Sequence, residues 1–161
     1  MKLSLAIAGK LPAGVHKQTL EAAARYVGEE TAGDNHLVET AIINLKLVDD
    51  AEIQALNKKY AGSDKSTDVL SFNYHEDGSV PLDGELGDVA ISLDTAKRQA
   101  ETAGTSLEAE VTLLVIHGCL HILGYDHAAA AERSKMDQLQ GQIMQRLDLT
   151  YRNFQWDLSK A

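Results

Sequence analysis

Several absences bound what this chain can be. It has one cysteine, Cys119, which excludes an internal disulfide and fits a reducing compartment. It has two prolines, Pro12 and Pro81, no low-complexity tract and no internal repeat, so neither a proline-rich linker nor a repeat array fits. No run approaches the roughly 18 consecutive apolar residues of a membrane span. The opening stretch MKLSLAIAGKLPAG is interrupted by Ser4 and followed by Gly9-Lys10, and it reads as a strand rather than a signal peptide. Positive charge is also scarce: 15 Lys and Arg stand against 24 Asp and Glu, a net charge of -9. That balance excludes a broad basic coat for nucleic acid, although it leaves room for local patches. Lys58, Lys59 and Lys65 form one small group and Lys97-Arg98 another; the plainest reading of each is a solvated face. The expectation is a soluble cytoplasmic protein that does not bind membrane.

What is present is ordinary globular patterning over 161 residues, enough for one domain with its own core. Residues 2–8 alternate polar and apolar and predict a first strand; residues 40–48, rich in β-branched types, predict a second. Between them Leu20, Ala23, Ala24 and Val27 predict a helix from about His16 to Glu30. Asp49 with Glu52 is a capping box for a short helix carrying Ile53, Leu56 and Asn57 to about Tyr60. A loop over 61–66 precedes a third strand over Asp68–Tyr74. Residues 75–84 are turn-rich and read as a mobile loop, and 85–92 form a fourth strand. Helices are expected over Leu93–Ala103, from about Ser106 to Leu123 with Thr105 and Glu108 as its capping box, and over Glu132 to Leu147. The tail from Leu149 should dock Tyr151, Phe154 and Trp156 on the body. The fold class is α+β (mixed α/β), with a sheet of about four strands and helices packed on it.

Chemistry concentrates in HGCLHILGYDH, residues 117–127. His117 and His121 are one helical turn apart on one face. Gly124 follows where a helix often stops in a left-handed residue, so the chain can return and bring in His127. Three neutral imidazoles suit zinc best, and also nickel, copper or iron. Cys119 lies roughly 200° around the helix from the histidine face and reads as a buried small hydrophobe. Asp126 is able to ligate, but beside a ligand histidine it reads more readily as the acceptor that fixes an imidazole tautomer. Three ligands without an evident fourth leave a position for water or substrate, which points to catalysis. His16, His36 and His75 carry no such pattern and read as structural. The same spacing occurs in metzincin proteases, whose general-base glutamate sits directly after the first histidine. Here that position is Gly118, so the motif keeps a metal cage without the peptidase base.

The motif resembles the signature of the YbeY family, described as single-domain metal-dependent endoribonucleases of ribosomal RNA maturation and small-subunit quality control. LNKKY at 56–60, DKSTDVLSF at 64–72 and ELGDVAIS at 85–92 resemble the same family in the same order. The resemblance implies one hydrolase domain over 1–161, with one zinc ion held by His117, His121 and His127 plus a water. It implies single-stranded RNA as substrate, at the 3′ end of small-subunit ribosomal RNA. Small-subunit proteins and a ribosome-associated GTPase are the implied partners. Asp126, Asp68 and Asp88 are the proton-handling residues to consider; Thr67 and Ser71, with Lys58, Lys59 and Lys65, are the substrate contacts. For Thr67, Asp68, Ser71 and Asp88, turn chemistry and strand capping are the competing reading. Two positions depart from the family: Ala61 stands where it usually has an arginine, and Ser66 replaces a proline, a change expected to loosen that loop. Two other functions stay open, a non-catalytic zinc-containing ribosome-assembly factor and a zinc hydrolase of peptides or amides.

Overall fold

Alternation builds the first strand, β1 (Lys2–Ala8), and β-branched residues the second, β2 (Thr40–Val48), joined by helix α1 (Lys17–Glu30). The chain continues through α2 (Asp50–Ala61), β3 (Val69–Asn73), β4 (Glu85–Ser92), α3 (Leu93–Ala103), α4 (Leu107–Ile122) and α5 (Ala130–Arg146). The structure, a computed structural model, describes residues 1–33, 40–75 and 84–152. The expected roles of His36, Phe154 and Trp156, and most of the 75–84 loop, lie outside those residues.

The four strands form one mixed sheet in the order β1-β2-β4-β3. β1, β2 and β4 are parallel, and β3 closes the edge antiparallel to β4. Ala41, Ile43 and Leu45 point to one face and are buried, whereas Ile42, Asn44 and Lys46 point to the other, as strand alternation requires. Helix α4 lies against the buried face, and every residue from Ala109 to Leu120 is buried. A helix apolar on all sides has to be enclosed. This one contacts α1, α3, α5, β3 and β4.

Two glycines set how closely these layers meet. A Cβ at Gly118 would stand 2.8 Å from Val89 Cγ1 and 2.9 Å from its Cγ2. A Cβ at Gly87 would stand 2.2 Å from the Phe72 carbonyl oxygen and 3.1 Å from Ile122 Cδ1. Gly118 is therefore a contact surface between α4 and β4, with no room for a carboxylate side chain.

Most helix boundaries fall within a residue or two of expectation, but the caps hold one correction. Asp49 does cap α2, accepting from Glu52 N at 2.8 Å; the Glu52 carboxylate reaches Lys46 Nζ at 2.6 Å. Helix α4 is capped by Ser106, which accepts from Ala109 N at 3.0 Å, and not by Thr105. Glu108 is drawn away to His16, receiving its backbone N–H and Nδ1 at 2.7 Å each. The N-cap falls one residue after the expected one, and the expected Glu108 partner is engaged by His16 instead.

The loop before β3 is held, not loosened. Ser66 Oγ donates to Asp50 Oδ1 at 3.1 Å, and the same oxygen accepts from Ser92 Oγ at 2.6 Å and Thr95 Oγ1 at 2.7 Å. Arg98 adds a contact to Oδ2 at 2.9 Å. Led by the Ser92 bond, these donors hold the Asp50 carboxyl far below the usual carboxylate range. Asn57 Nδ2 donates to the Lys65 carbonyl at 2.9 Å and ties the same loop to α2.

Because the obstacle at Gly87 is backbone, which cannot rotate away, Gly87→Ala should cost about 3 kcal/mol, the upper part of the overpacking range. Urea denaturation of the variant and the wild type measures this; equal midpoints would contradict the close approach.

Candidate metal centre

His117 and His121 occupy the last turns of α4, where the helix dipole favours a cation. Their rings lie edge to face with centroids 4.6 Å apart. Gly124, at φ 97°, ends the helix in the left-handed region. Gly124 N donates to the His121 carbonyl and Tyr125 N to the Leu120 carbonyl, each at 3.0 Å, the paired bonds of a Schellman stop. The reversed chain sets His127 beside His121, with centroids 5.2 Å apart. From α5, Arg133 donates to the His127 carbonyl at 2.8 Å and holds the turn in place.

The group whose ligand atoms come together is His121, Asp126 and His127; His117 lies against His121 but is not in that group. One ligand atom from each of His121, Asp126 and His127 lies within 4.8 Å of the others, close enough for one ion. Asp126 Oδ1 accepts from His127 N at 2.7 Å and stands 3.7 Å from His127 Nδ1, so its carboxylate borders the site and anchors the turn. His117 is the most buried of the three histidines, and its Nδ1 meets Gln140 Oε1 at 2.8 Å. With that amide oxygen as acceptor, Nδ1 carries the proton and Nε2 keeps the lone pair. Burial, then the charge of His121, pushes the His117 pKa down to about 3. Burial likewise lowers that of His121, with a further contribution from His127. Imidazole nitrogens and a carboxylate are donors that a divalent ion such as zinc accepts.

Cys119 is fully buried on the far side of α4, and burial raises its thiol pKa to about 12, so it is an inert packing residue.

The other expected site residues divide between the two faces of the sheet. Val69, facing α4 near Gly118, shares its side of β3 with Ser71 and Asn73; Asn73 Nδ2 donates to the Ile122 carbonyl at 3.0 Å. Ser71 is thus on the side of the histidine helix. Asp68 is half-buried and accepts from Thr67 Oγ1 at 3.4 Å and Gln99 Nε2 at 3.3 Å. Asp88, next to Val89, points to the opposite face and receives the Tyr74 hydroxyl. Lys58 is exposed and 3.9 Å from Asp64; Lys59 lies over the Tyr60 ring at 5.0 Å. Lys65 is exposed in the loop that Asn57 ties to α2. His16 has a structural partner in Glu108, as expected of it.

Three contributors escaped the sequence reading. Gln140 is a polar residue inside the apolar stripe Met136, Leu139, Ile143 of α5, and that interruption was the available signal. Glu110 is 1% exposed and lies two turns before His117 on the same face of α4. Its partner is Arg152, whose Nε lies 2.9 and 3.0 Å from the two carboxylate oxygens. Arg152 also reaches Gln99 Oε1 at 3.1 Å and Asp68 Oδ2 at 3.8 Å. Burial raises the Glu110 pKa, and the arginine opposes it. The Arg152 charge also extends to His117, where it disfavours the imidazolium.

Comparison with known proteins was made on this geometry. A family model described as Endoribonuclease YbeY matches residues 10–148. An endoribonuclease YbeY of Pelotomaculum thermopropionicum is 47% identical over 116 residues, covering 70% of this chain and 76% of that protein. Its counterpart from Halalkalibacterium halodurans is 39% identical over 148 residues, 84% of this chain and 93% of the other. The solution structure of a Thermotoga maritima protein aligns with a TM-score of 0.57 at 20% identity, covering 95% of this chain and 99% of that one. At that identity the likeness is one of fold.

A pH dependence follows from His117. Its folded-state pKa of about 3 lies below the ordinary 6.5, so the unfolded chain binds the proton more readily. The metal-free protein should keep this contribution above about pH 6.5 and lose it progressively as pH falls toward 3. Denaturation of the metal-free chain and of His117→Gln at pH 7.5 and pH 5 tests this: the wild type should lose more stability across the interval.

Proposed function

Since the chain belongs to the YbeY family of endoribonucleases, we propose that it is a zinc-dependent endoribonuclease cleaving single-stranded RNA during small-subunit ribosomal RNA maturation and ribosome quality control. In this reading residues 1–161 act as one hydrolase domain in the cytoplasm, serving the 3′ end of the small-subunit RNA alongside small-subunit proteins and a ribosome-associated GTPase. The observation that carries it is the gathering of His121, Asp126 and His127 at the turn that ends α4, with His117 one helical turn back and its ring against His121.

His117, His121 and His127 would hold the ion. When bound, zinc supplies Lewis acidity at a phosphate oxygen and makes water acidic enough to attack near neutral pH. The remaining work belongs to the chain. Gln140 fixes the tautomer of His117, so its Nε2 lone pair needs no reorientation on binding. Asp126, the aspartate set beside the histidines and exposed to solvent, takes the proton from the attacking water. Asp68 stands further along α4 beside Arg152, on the same side of the sheet. With Ala61 in place of an arginine, phosphate attraction falls to Lys58, Lys59 and Lys65, with Thr67 and Ser71 as hydrogen-bonding contacts. That same alanine favours a second reading, an assembly factor in which the ion only orders the surface.

Purified zinc-loaded protein should cleave single-stranded RNA, and both His117→Ala and chelation should abolish cleavage. Cleavage that persists in His117→Ala would reject the assignment, and co-sedimentation with small subunits without cleavage would select the assembly factor. Gln140→Leu should weaken zinc binding about 10–100-fold in a chelator competition. Unchanged affinity would remove Gln140 from the site.

A further inference from the structure

The face of the sheet opposite α4 is only partly covered. Beside α2 it leaves an open groove of about 670 Å³, within the roughly 300–1,000 Å³ of small-molecule sites. Its walls are aromatic: Tyr60, from the last turn of α2, is 60% exposed and meets the Phe72 ring at 5.5 Å in an edge contact. The other end is polar. Tyr74, 48% exposed, donates its hydroxyl to Asp88, and Asn44 Nδ2 approaches that hydroxyl at 3.4 Å. Lys59 lies at the Tyr60 edge.

Tyr60 and Tyr74 leave much of their rings in water: Tyr60 is met by Phe72 and Lys59, and Tyr74 is tied by its hydroxyl to Asp88, and each keeps open ring surface toward the groove. A ligand suited to them has a flat apolar face for stacking and hydrogen-bonding groups on its rim. We propose that this groove seats one unstacked base of the RNA strand, with its face on the exposed Tyr60 ring, which Phe72 meets edge to face, and its edge at Asp88 and Asn44; this rests on the reading of the chain as an endoribonuclease. The edge has a preference. One oxygen of Asp88 takes the Tyr74 hydroxyl, and the carboxylate keeps further lone pairs that accept but never donate. It therefore selects a base with an exocyclic amine, such as cytosine, over uracil. Lys59 supplies the charge for the adjoining phosphate. The site is separate from the histidines, across the sheet from α4, and holds the strand by its base rather than by the bond to be cut.

The test is fluorescence anisotropy of labelled oligonucleotides on the full chain, kept metal-free with chelator so that nothing is cleaved. The probes are oligocytidine, oligouridine and an abasic ribose-phosphate strand of equal length. Tyr60→Leu should weaken oligocytidine binding about tenfold and leave the abasic strand unchanged, whereas Tyr60→Trp should bind oligocytidine at least as well as wild type. Asp88→Asn should erase the preference for oligocytidine over oligouridine. Unaltered oligocytidine binding by Tyr60→Leu, or an equal loss on the abasic strand, overturns the proposal. If the zinc-loaded wild type still cleaves RNA in that case, the groove assignment fails alone. Wild type that neither binds nor cleaves any strand ends both readings.

Discussion

Everything at the metal centre depends on how closely α4 approaches the sheet at Gly118. With no side chain there, the helix settles against Val89 and Val69, and its position is fixed by hard contact instead of a flexible interface. His117, the preceding residue, is then carried to the edge of the core, where Gln140 can meet it from α5. A larger residue at 118 would lift the helix and move both helical histidines together. The same contact explains why the motif lacks a peptidase glutamate: that position faces the sheet and has no volume for a carboxylate.

The fold was legible where periodicity was strong. Strands over 2–8, 40–48 and 85–92 and the helix over 93–103 emerge with the expected limits, because alternation and apolar spacing report burial directly. Gly124 was legible too, since its turn is dictated by residues adjacent in sequence. The misassigned cap at Thr105 shows the limit. A capping box is a local pattern, and the structure caps at Ser106 with Glu108 bonded to His16, 92 residues away. Gln140, Glu110 and Arg152 were missed for the same reason: each acts through a partner that only the folded topology supplies. Strand parity put Asp88 on the face away from α4, whereas Asp68 and Asp126 lie outside the strands and are placed by their own contacts.

The departures from the family pattern also read differently in three dimensions. Ser66 lacks the rigidity of proline, yet its hydroxyl joins Ser92, Thr95 and Arg98 on Asp50, so hydrogen bonds restrain the loop that proline would have restrained covalently. Ala61, the last residue of α2, has no comparable substitute. The nearby cations Lys58 and Lys59 are mobile point charges without a guanidinium's paired donors.

The Glu110–Arg152 pair bears on the order in which the molecule can be completed. Glu110 sits in the buried helix α4, while its counter-charge comes from residue 152. Arg152 is not at hand to pair with Glu110 until the segment after α5 docks. Until then, burying Glu110 would leave a lone carboxylate in the core or require it to take up a proton. The histidine helix therefore cannot seat at full stability before that segment docks. Docking of that segment completes the packing of the helix on which His117 and His121 stand.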